Sequence, residues 1–299
     1  MTSNDSHDVL CVGHASYDLI FSVPYHPKTD EKIVADNFTG CGGGPAANAA
    51  VCISRLGLKA AFAGFLGHDL YGDKHQMELS QEGVNTHYLV RGLSPTPLST
   101  ILVKPDGQRA LINYRGKTQH LPENSLNFSD LQTKVILFDG HEPNLSLTLL
   151  EIARNHSIPT VLDAGSLHSG TEQLMAKVDY LVCSEKFAKQ IAGDVNNALI
   201  VLAKTSPHVV ITLGEKGLIW QCSNTQSKLP AFPVQAIDTT GAGDAFHGAF
   251  AAALAQNLNW LDTLKYASAA GALCCTRIGA RPGLPTLSEL TSLYKGSSE

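Results

Sequence analysis

The run Asp238-Thr239-Thr240-Gly241-Ala242-Gly243-Asp244-Ala245-Phe246 carries the clearest chemistry in the chain, because an alanine-rich stretch through Ala255 follows it at once. Glycines just ahead of a helix free backbone N–H groups to point at an anion, and the helix dipole adds positive potential there. Gly241, Ala242 and Gly243 therefore read as an anion hole. Asp244, in the first helical turn, would be placed to accept the proton of a hydroxyl attacking a bound phosphate. A plainer reading stands beside this one: aspartates such as Asp238 and Asp244 also cap helices and complement their dipoles.

Gly42-Gly43-Gly44-Pro45-Ala46-Ala47-Asn48 is a second glycine cluster. Its outline matches a dinucleotide fingerprint, but Asp36 to Gly40 before it is polar and not a buried strand. The glycines instead let a ligand lie against backbone, with Asn48 both donating and accepting hydrogen bonds in the first helical turn. Asp18, a few residues past the first apolar run, falls where open sheets contact ligands; a carboxylate there could grip two neighbouring hydroxyls, or simply make a turn. Thr212-Leu213-Gly214-Glu215-Lys216-Gly217 could turn a strand under a nucleotide, though alone it reads better as a hairpin turn into Leu218 to Gln221. Gly67 to Lys74 approaches a Walker A loop but lacks its Gly-Lys-Ser/Thr ending. No G-x-S-x-G supports a serine hydrolase. The twelve histidines show no H-x-x-x-H or H-E-x-x-H spacing and read mostly as surface residues.

These residues need a frame. Val9 to Gly13, Val135 to Phe138, Thr160 to Leu162, Tyr180 to Cys183 and Val209 to Leu213 are short runs apolar on both faces, which implies strands covered on both sides. Helical spacing at Ala46 to Leu56, Leu145 to Ala153 and Ala242 to Leu254 alternates with them, predicting an α/β fold: a three-layer α/β/α sandwich on a mostly parallel sheet. Two stretches break the alternation, 19–39 and 86–115, and read as a small sheet with one wet face inserted beside the α/β core as a lid. The chain from 1 to 299 is expected to be one domain with that appendage.

Composition narrows the function. At 299 residues, 43% hydrophobic and 16% charged, the chain can bury a large core. A net charge of −5 and a pI near 6.2 argue against a nucleic-acid partner. A polar N-terminus, no apolar run of membrane length and seven cysteines without a C-x-x-C pair point to a cytoplasmic protein with reduced thiols and no membrane association.

Taken together, the motifs resemble the PfkB (ribokinase-like) carbohydrate kinase family across nearly the whole chain. G-G-x-x-x-N (Gly43 to Asn48), G-x-D-x-x-G (Gly67 to Gly72), T-x-G-x-x-G (Thr212 to Gly217) and D-T-x-G-A-G-D (Asp238 to Asp244) occur in the family's order and spacing. The resemblance implies a ribokinase-like fold with a β lid, ATP with Mg²⁺ as phosphate donor, and Asp244 as base. It places Asp18, Gly43 and Asn48 at the sugar, and Thr212, Gly214, Gly217, Ser184 and Gly283 at the nucleotide. Many members hold a monovalent cation near the anion hole, where Asp238, Thr240 and the loop 277–283 match, which leaves potassium dependence open. Lid strands that pair between subunits in this family imply a homodimer, although exposed lid edges can also be covered within one chain.

Within the family, G-G-G-P-A-A, Ile112 to Tyr114 and C-T-R-x-G-x-R-x-G are most similar to sulfofructose kinases, with resemblance also to ketohexokinase-like and ribokinase-like members. Lys32 and Asn113 stand at that branch's anion-pocket positions. His141 stands where an arginine is expected, and Asn48 replaces the branch's threonine. A histidine is charged only in part near neutral pH and does not give the bidentate grip of a guanidinium, which turns the expectation toward a neutral ketose or pentose. The family's magnesium-organising N-x-x-E should fall near Ser184 to Phe187 and is missing, so magnesium ligation does not carry over. A nucleoside kinase of the same fold, a sugar- or nucleotide-binding regulator without turnover, and a dinucleotide-dependent oxidoreductase remain as competing readings.

Overall fold

Residues 6–296 are described in the computed structural model. Thirteen strands among them divide between two sheets. The larger is built on β1 (His7–Val12), β4 (Ala60–Gly67), β5 (Leu89–Gly92), β8 (Thr133–Phe138), β9 (Thr160–Ala164), β10 (Tyr180–Ser184), β11 (His208–Thr212), β12 (Leu218–Cys222) and β13 (Thr225–Leu229), in the order β13-β12-β11-β10-β9-β8-β1-β4-β5. Every pairing from β11 to β5 is parallel, and only the β11-β12-β13 edge is antiparallel. The apolar runs predicted as strands all occur, and residues 212–217 make the hairpin turn into β12 that their glycines suggested.

Alternation along each strand splits the core in two. Val9, Cys11, Phe62, Val135, Leu137, Val161 and Val182 face one cluster with α1 (Pro45–Arg55), α7 (Ala242–Ala255), α8 (Trp260–Cys274) and α10 (Leu287–Gly296). Leu10, Val12, Ile136, Phe138, Leu162 and Leu181 face the other, with α3 (Pro143–His156), α5 (Glu185–Ala192) and α6 (Val195–Leu202). Fully burying such side chains is worth about 1.5–3 kcal/mol each, which is why both faces must be covered. The result is the expected three-layer α/β/α arrangement.

Chain order reverses between β1 and β8. From β1 the chain builds outward through β4 and β5, then returns to β8 and builds the other way through β9 to β11. Such a switch point opens a crevice beyond the strand carboxyl ends, where ligands bind in open α/β sheets.

The second sheet holds β2 (Ser16–Ser22), β3 (Asn37–Gly43), β6 (Leu98–Val103) and β7 (Arg109–Tyr114), in the order β3-β2-β6-β7. It differs from the expected lid in two places. Leu89–Gly92, inside the segment assigned to the lid, pairs with β4 on the edge of the large sheet instead. Asp18 lies within β2, with its backbone in the ladder and its side chain buried, and is not a turn residue. The sequence pattern missed this because the first apolar run closes at Gly13, and only Gly13 to Ala15 separate two strands of different sheets.

Candidate active site

Asp244 reaches its position because two small-residue helices touch. α1 begins Pro-Ala-Ala-Asn-Ala-Ala and α7 is rich in alanine, and a Cβ on Gly248 would lie 2.8 Å from the Ala49 carbonyl oxygen, so glycine sets the approach. The contact puts Asn48 Nδ2 2.7 Å from Asp244 Oδ2. Asp244 lies in the first turn of α7, behind a left-handed Gly241 (φ 79°) whose absent Cβ avoids Ala280 at 2.6 Å. A Cβ on Gly243 would meet nothing within 4 Å, so the anion hole proposed from the sequence opens to free space.

The carboxyl of Asp244 is pushed up to about 7, first by burial and then by the charge of Asp163, while the Asn48 hydrogen bond and His247 pull it down. That value suits a proton acceptor at neutral pH. Asp18 is pushed up to about 6, chiefly by burial, and is steadied by the Ser16 hydroxyl at 3.1 Å and the charge of Arg281. A Cβ on Gly43 would fall 2.3 Å from the Asp18 carboxylate, so Gly43 is the space that carboxylate occupies. Across the small sheet Asp18 pairs in register with Ser99, and Ser99 with Asn113, which sets the three on one face.

His141 follows β8, and its ring forms a column with two others: 5.2 Å from His14 and 4.7 Å from His168, with the His141 and His168 planes 10° apart. Burial and the neighbouring His141 hold His14 down at about 3 and His168 at about 4. These rings, and the buried His75 and His247, correct the expectation that the histidines are mostly surface residues.

Four further positions of the candidate site went unnoticed in the sequence. Asp139, at the end of β8, accepts from the backbone N–H of His14 at 2.7 Å, Ala46 at 3.2 Å and His141 at 2.8 Å, tying three site loops at the switch point. A Cβ on Gly13 would lie 1.8 Å from it. Asp163, at the end of β9, is pushed up to about 8 by burial and by Asp139, and lies 3.2 Å from His247 Nδ1. His247 braces the glycine loop from beneath, with Nδ1 2.6 Å from the Gly243 carbonyl and Nε2 3.1 Å from that of Val182. Burial lowers its pKa, although carbonyls at both ring nitrogens favour the protonated form. Arg109 on β7 reaches the Thr240 hydroxyl, the Thr239 hydroxyl at 3.3 Å and Asp238 at 3.7 Å, joining the small sheet to the loop ahead of α7. An aspartate straight after an apolar run, as in V-I-L-F-D and T-V-L-D, was a usable signal for the first two.

Other predicted positions fare differently. Thr212 and Ser184 end parallel strands at the same sheet edge, and Gly214 (φ 60°) has open space around it. Ser184 caps α5 by accepting from Phe187 N at 3.0 Å and donating to the Gly165 carbonyl at 2.8 Å. Gly217 and Gly283 have packing reasons, since a Cβ would meet the Leu229 oxygen at 2.0 Å and the Cys274 oxygen at 2.6 Å respectively. Lys32 is exposed in the connection from β2 to β3 and forms no hydrogen bond or ion pair with Asp18, Asn48 or His141. Asp238 takes Thr240 N at 2.9 Å, the Thr240 hydroxyl at 2.6 Å and Gly279 N at 2.7 Å in addition to Arg109. Asp238 thus already accepts three hydrogen bonds and lies beside a guanidinium in this arrangement. Among the described residues no cluster of three or more His, Cys, Asp or Glu is placed to hold a metal, and no helix is long and apolar enough to cross a membrane.

The model of the pfkB family carbohydrate kinases matches residues 6–287. The chain belongs to the PfkB carbohydrate kinase family. Ribokinase from Haemophilus influenzae is 29% identical over 291 residues, covering 93% of this chain and 95% of that protein. Probable fructokinase-5 from Arabidopsis thaliana is 30% identical over 311 residues, covering 93% and 96%. Arabidopsis thaliana ribokinase complexed with ribose and ATP superposes with a TM-score of 0.85 at 25% identity, covering 97% and 99%. This PfkB chain is thus a sugar kinase of the ribokinase family, a phosphotransferase acting on an alcohol group.

Proposed function

We propose that the chain transfers the γ-phosphate of ATP to a hydroxyl of a small sugar of the ketohexose, sulfofructose or ribose type, with Asp244 as base. The observation that carries this reading is the Asp244 carboxyl, held near 7 at an open glycine-rich helix start and oriented by Asn48. The sugar O–H gives its proton to Asp244 as its oxygen bonds to phosphorus, the bridging P–O bond breaks, and ADP leaves. Backbone N–H groups of Gly241, Ala242 and Gly243, with the α7 dipole, stabilise the charge on the transferring group. Asp18, Gly43, Asn48 and Asn113 would hold the sugar, with His141 closing the far side. Thr212, Gly214 and the strand end at Ser184 would take the nucleotide, as the ATP complex of the Arabidopsis ribokinase supports by similarity of fold.

The outer rings of the histidine column suit a neutral sugar, and the Arg115 guanidinium, whose charge helps to hold both of them down, is the fixed cation nearby. At neutral pH His14 and His168 are uncharged, so they offer hydrogen bonds to hydroxyls rather than a fixed cation for a sulfonate or phosphate. Magnesium would enter with the ATP phosphates and supply charge neutralisation there; Asp163, buried against His247 and pushed up to about 8, does not offer it a free carboxylate. The small sheet would act as a lid, latched to the anion loop through Arg109. Leu19, Phe21, Phe38, Leu102, Ile112 and Tyr114 share its other face by register, and Phe38, Ile112 and Tyr114 are more than half exposed, which supports a homodimer through the lid. A reduced cytoplasmic setting suits the five buried free thiols.

The test is ADP release from Mg-ATP across ribose, fructose, sulfofructose, fructose phosphates, tagatose and nucleosides, with and without potassium. One neutral sugar well ahead of the rest is expected. A nucleoside in front would overturn the sugar reading, and sulfofructose or a phosphorylated sugar in front would overturn the preference for a neutral one.

A further inference from the structure

Arg281 is buried to 4% exposure, yet it is poorly served as a structural ion pair. Its Nη1 lies 3.6 Å from Glu78 Oε2 and has no hydrogen-bond partner, while Nη2 faces His75 Nε2 at 3.2 Å. Removing a guanidinium from water costs several kcal/mol, and a well-packed apolar side chain would serve stability as well or better. The protein nonetheless makes room for it: a Cβ on Gly42 would lie 2.4 Å from His75 and 3.0 Å from Arg281 Nη2. The other side-chain hydrogen bond of this guanidinium runs from Nε to Asn48 Oδ1 at 3.1 Å.

The other end of that amide donates to Asp244 Oδ2 at 2.7 Å. An asparagine amide has two ends of nearly equal size and opposite hydrogen-bonding character, so its neighbours alone decide which way it points. With Arg281 donating to Oδ1, only one orientation satisfies both sides, and Nδ2 must face Asp244. Without that donor only the Asp244 carboxylate holds the amide, its oxygen is left without a partner, and the aim of Nδ2 is less sharply fixed. We propose that Arg281 is a positioning residue for Asp244, acting through Asn48 to aim a hydrogen-bond donor at the base. The inference rests on the reading of Asp244 as the base.

The surroundings on every side are defined. Asp244 is faced by Asp163 from β9, Asp18 from β2, His247 from its own helix and Asn48 from α1. Arg281 is faced by Glu78 and His75 from α2 (Leu70–Gln81), Glu82 just past its end, Cys41 from β3, Asp18 from β2 and Arg55 from α1. A lysine at 281 keeps a positive charge among these groups, but its Cε falls where the arginine has Nε, so a methylene meets Asn48 Oδ1. Charge and positioning can therefore be separated.

The experiment compares Arg281→Met and Arg281→Lys with the unaltered chain and with Asp244→Asn, following kcat, both KM values and the pH profile with the preferred sugar. Positioning predicts that both Arg281 variants lose roughly ten- to a hundredfold in kcat with the ATP KM unchanged, and that the acid limb of their profiles moves to higher pH. In an Asn48→Ala background, Arg281→Lys should change nothing further, because the groups act in series. If Arg281→Met does not fold, Arg281→Lys decides. An unchanged kcat and profile in Arg281→Lys, or the same loss with and without Asn48, overturns the proposal while an inactive Asp244→Asn leaves the base in place. An active Asp244→Asn overturns both.

Discussion

Replacing Asp244 by asparagine should stabilise the protein at alkaline pH while it abolishes turnover. The fold holds this carboxyl at about 7 against an ordinary value of 3.8. The folded state therefore binds the proton more tightly than the unfolded chain does, and ionising Asp244 works against folding. Below about pH 4 the carboxyl is protonated in both states and costs nothing; from there to about pH 7 stability falls as pH rises; above that the full cost applies. The difference of roughly three units, at about 1.36 kcal/mol each, gives ~4 kcal/mol. Solvent access through the cleft, where Asp244 is only partly buried by surface area, reduces this to about 2–4 kcal/mol. Urea unfolding of both forms at pH 8, 6.5 and 5 reads the effect directly. The asparagine form should lead most at pH 8, with the lead shrinking as pH falls. An asparagine form less stable than the parent at pH 8, or a lead of constant size, would refute the placement of a strained carboxyl at this position.

Two kinetic consequences accompany it. The kcat/KM for the sugar should rise through about pH 7 as Asp244 ionises, with Asp18 adding a second ionisation near 6; a flat profile from pH 5 to 8 contradicts a base held at that value. Gly43→Ala drives a methyl to 2.3 Å from the Asp18 carboxylate, so the sugar KM should rise by roughly tenfold or more, while ATP affinity measured by calorimetry stays put.

Much of this was legible in the sequence because the physics was local. Apolar runs of three to five residues announce strands covered on both faces, and glycines before an alanine-rich segment announce an exposed helix start, so the sandwich and the Asp244 loop could both be read directly. The pairing of Asn48 with Asp244, 196 positions away, could not, since it depends on alanines and Gly248 letting α1 and α7 approach. For Asp18 the sequence left a turn open beside a ligand contact, and its place inside β2 was not visible, because strand ends in different sheets leave no mark when only three residues separate them. Arg281 was visible only as a letter in a motif, its role set by Gly42, His75 and Asn48 arriving from three other elements. The histidine column is likewise a product of topology, built from loops after β1, β8 and β9, which are neighbours in space only because the chain reverses direction between β1 and β8.

The central claim is that Asp244 takes the proton of the attacking hydroxyl, and the most direct measurement pairs turnover with ATP binding for Asp244→Asn. The account predicts a loss of about 10²–10⁴ in kcat with ATP bound as tightly as by the parent, because the glycine backbone and helix start remain. Near-parental turnover in that variant would contradict it.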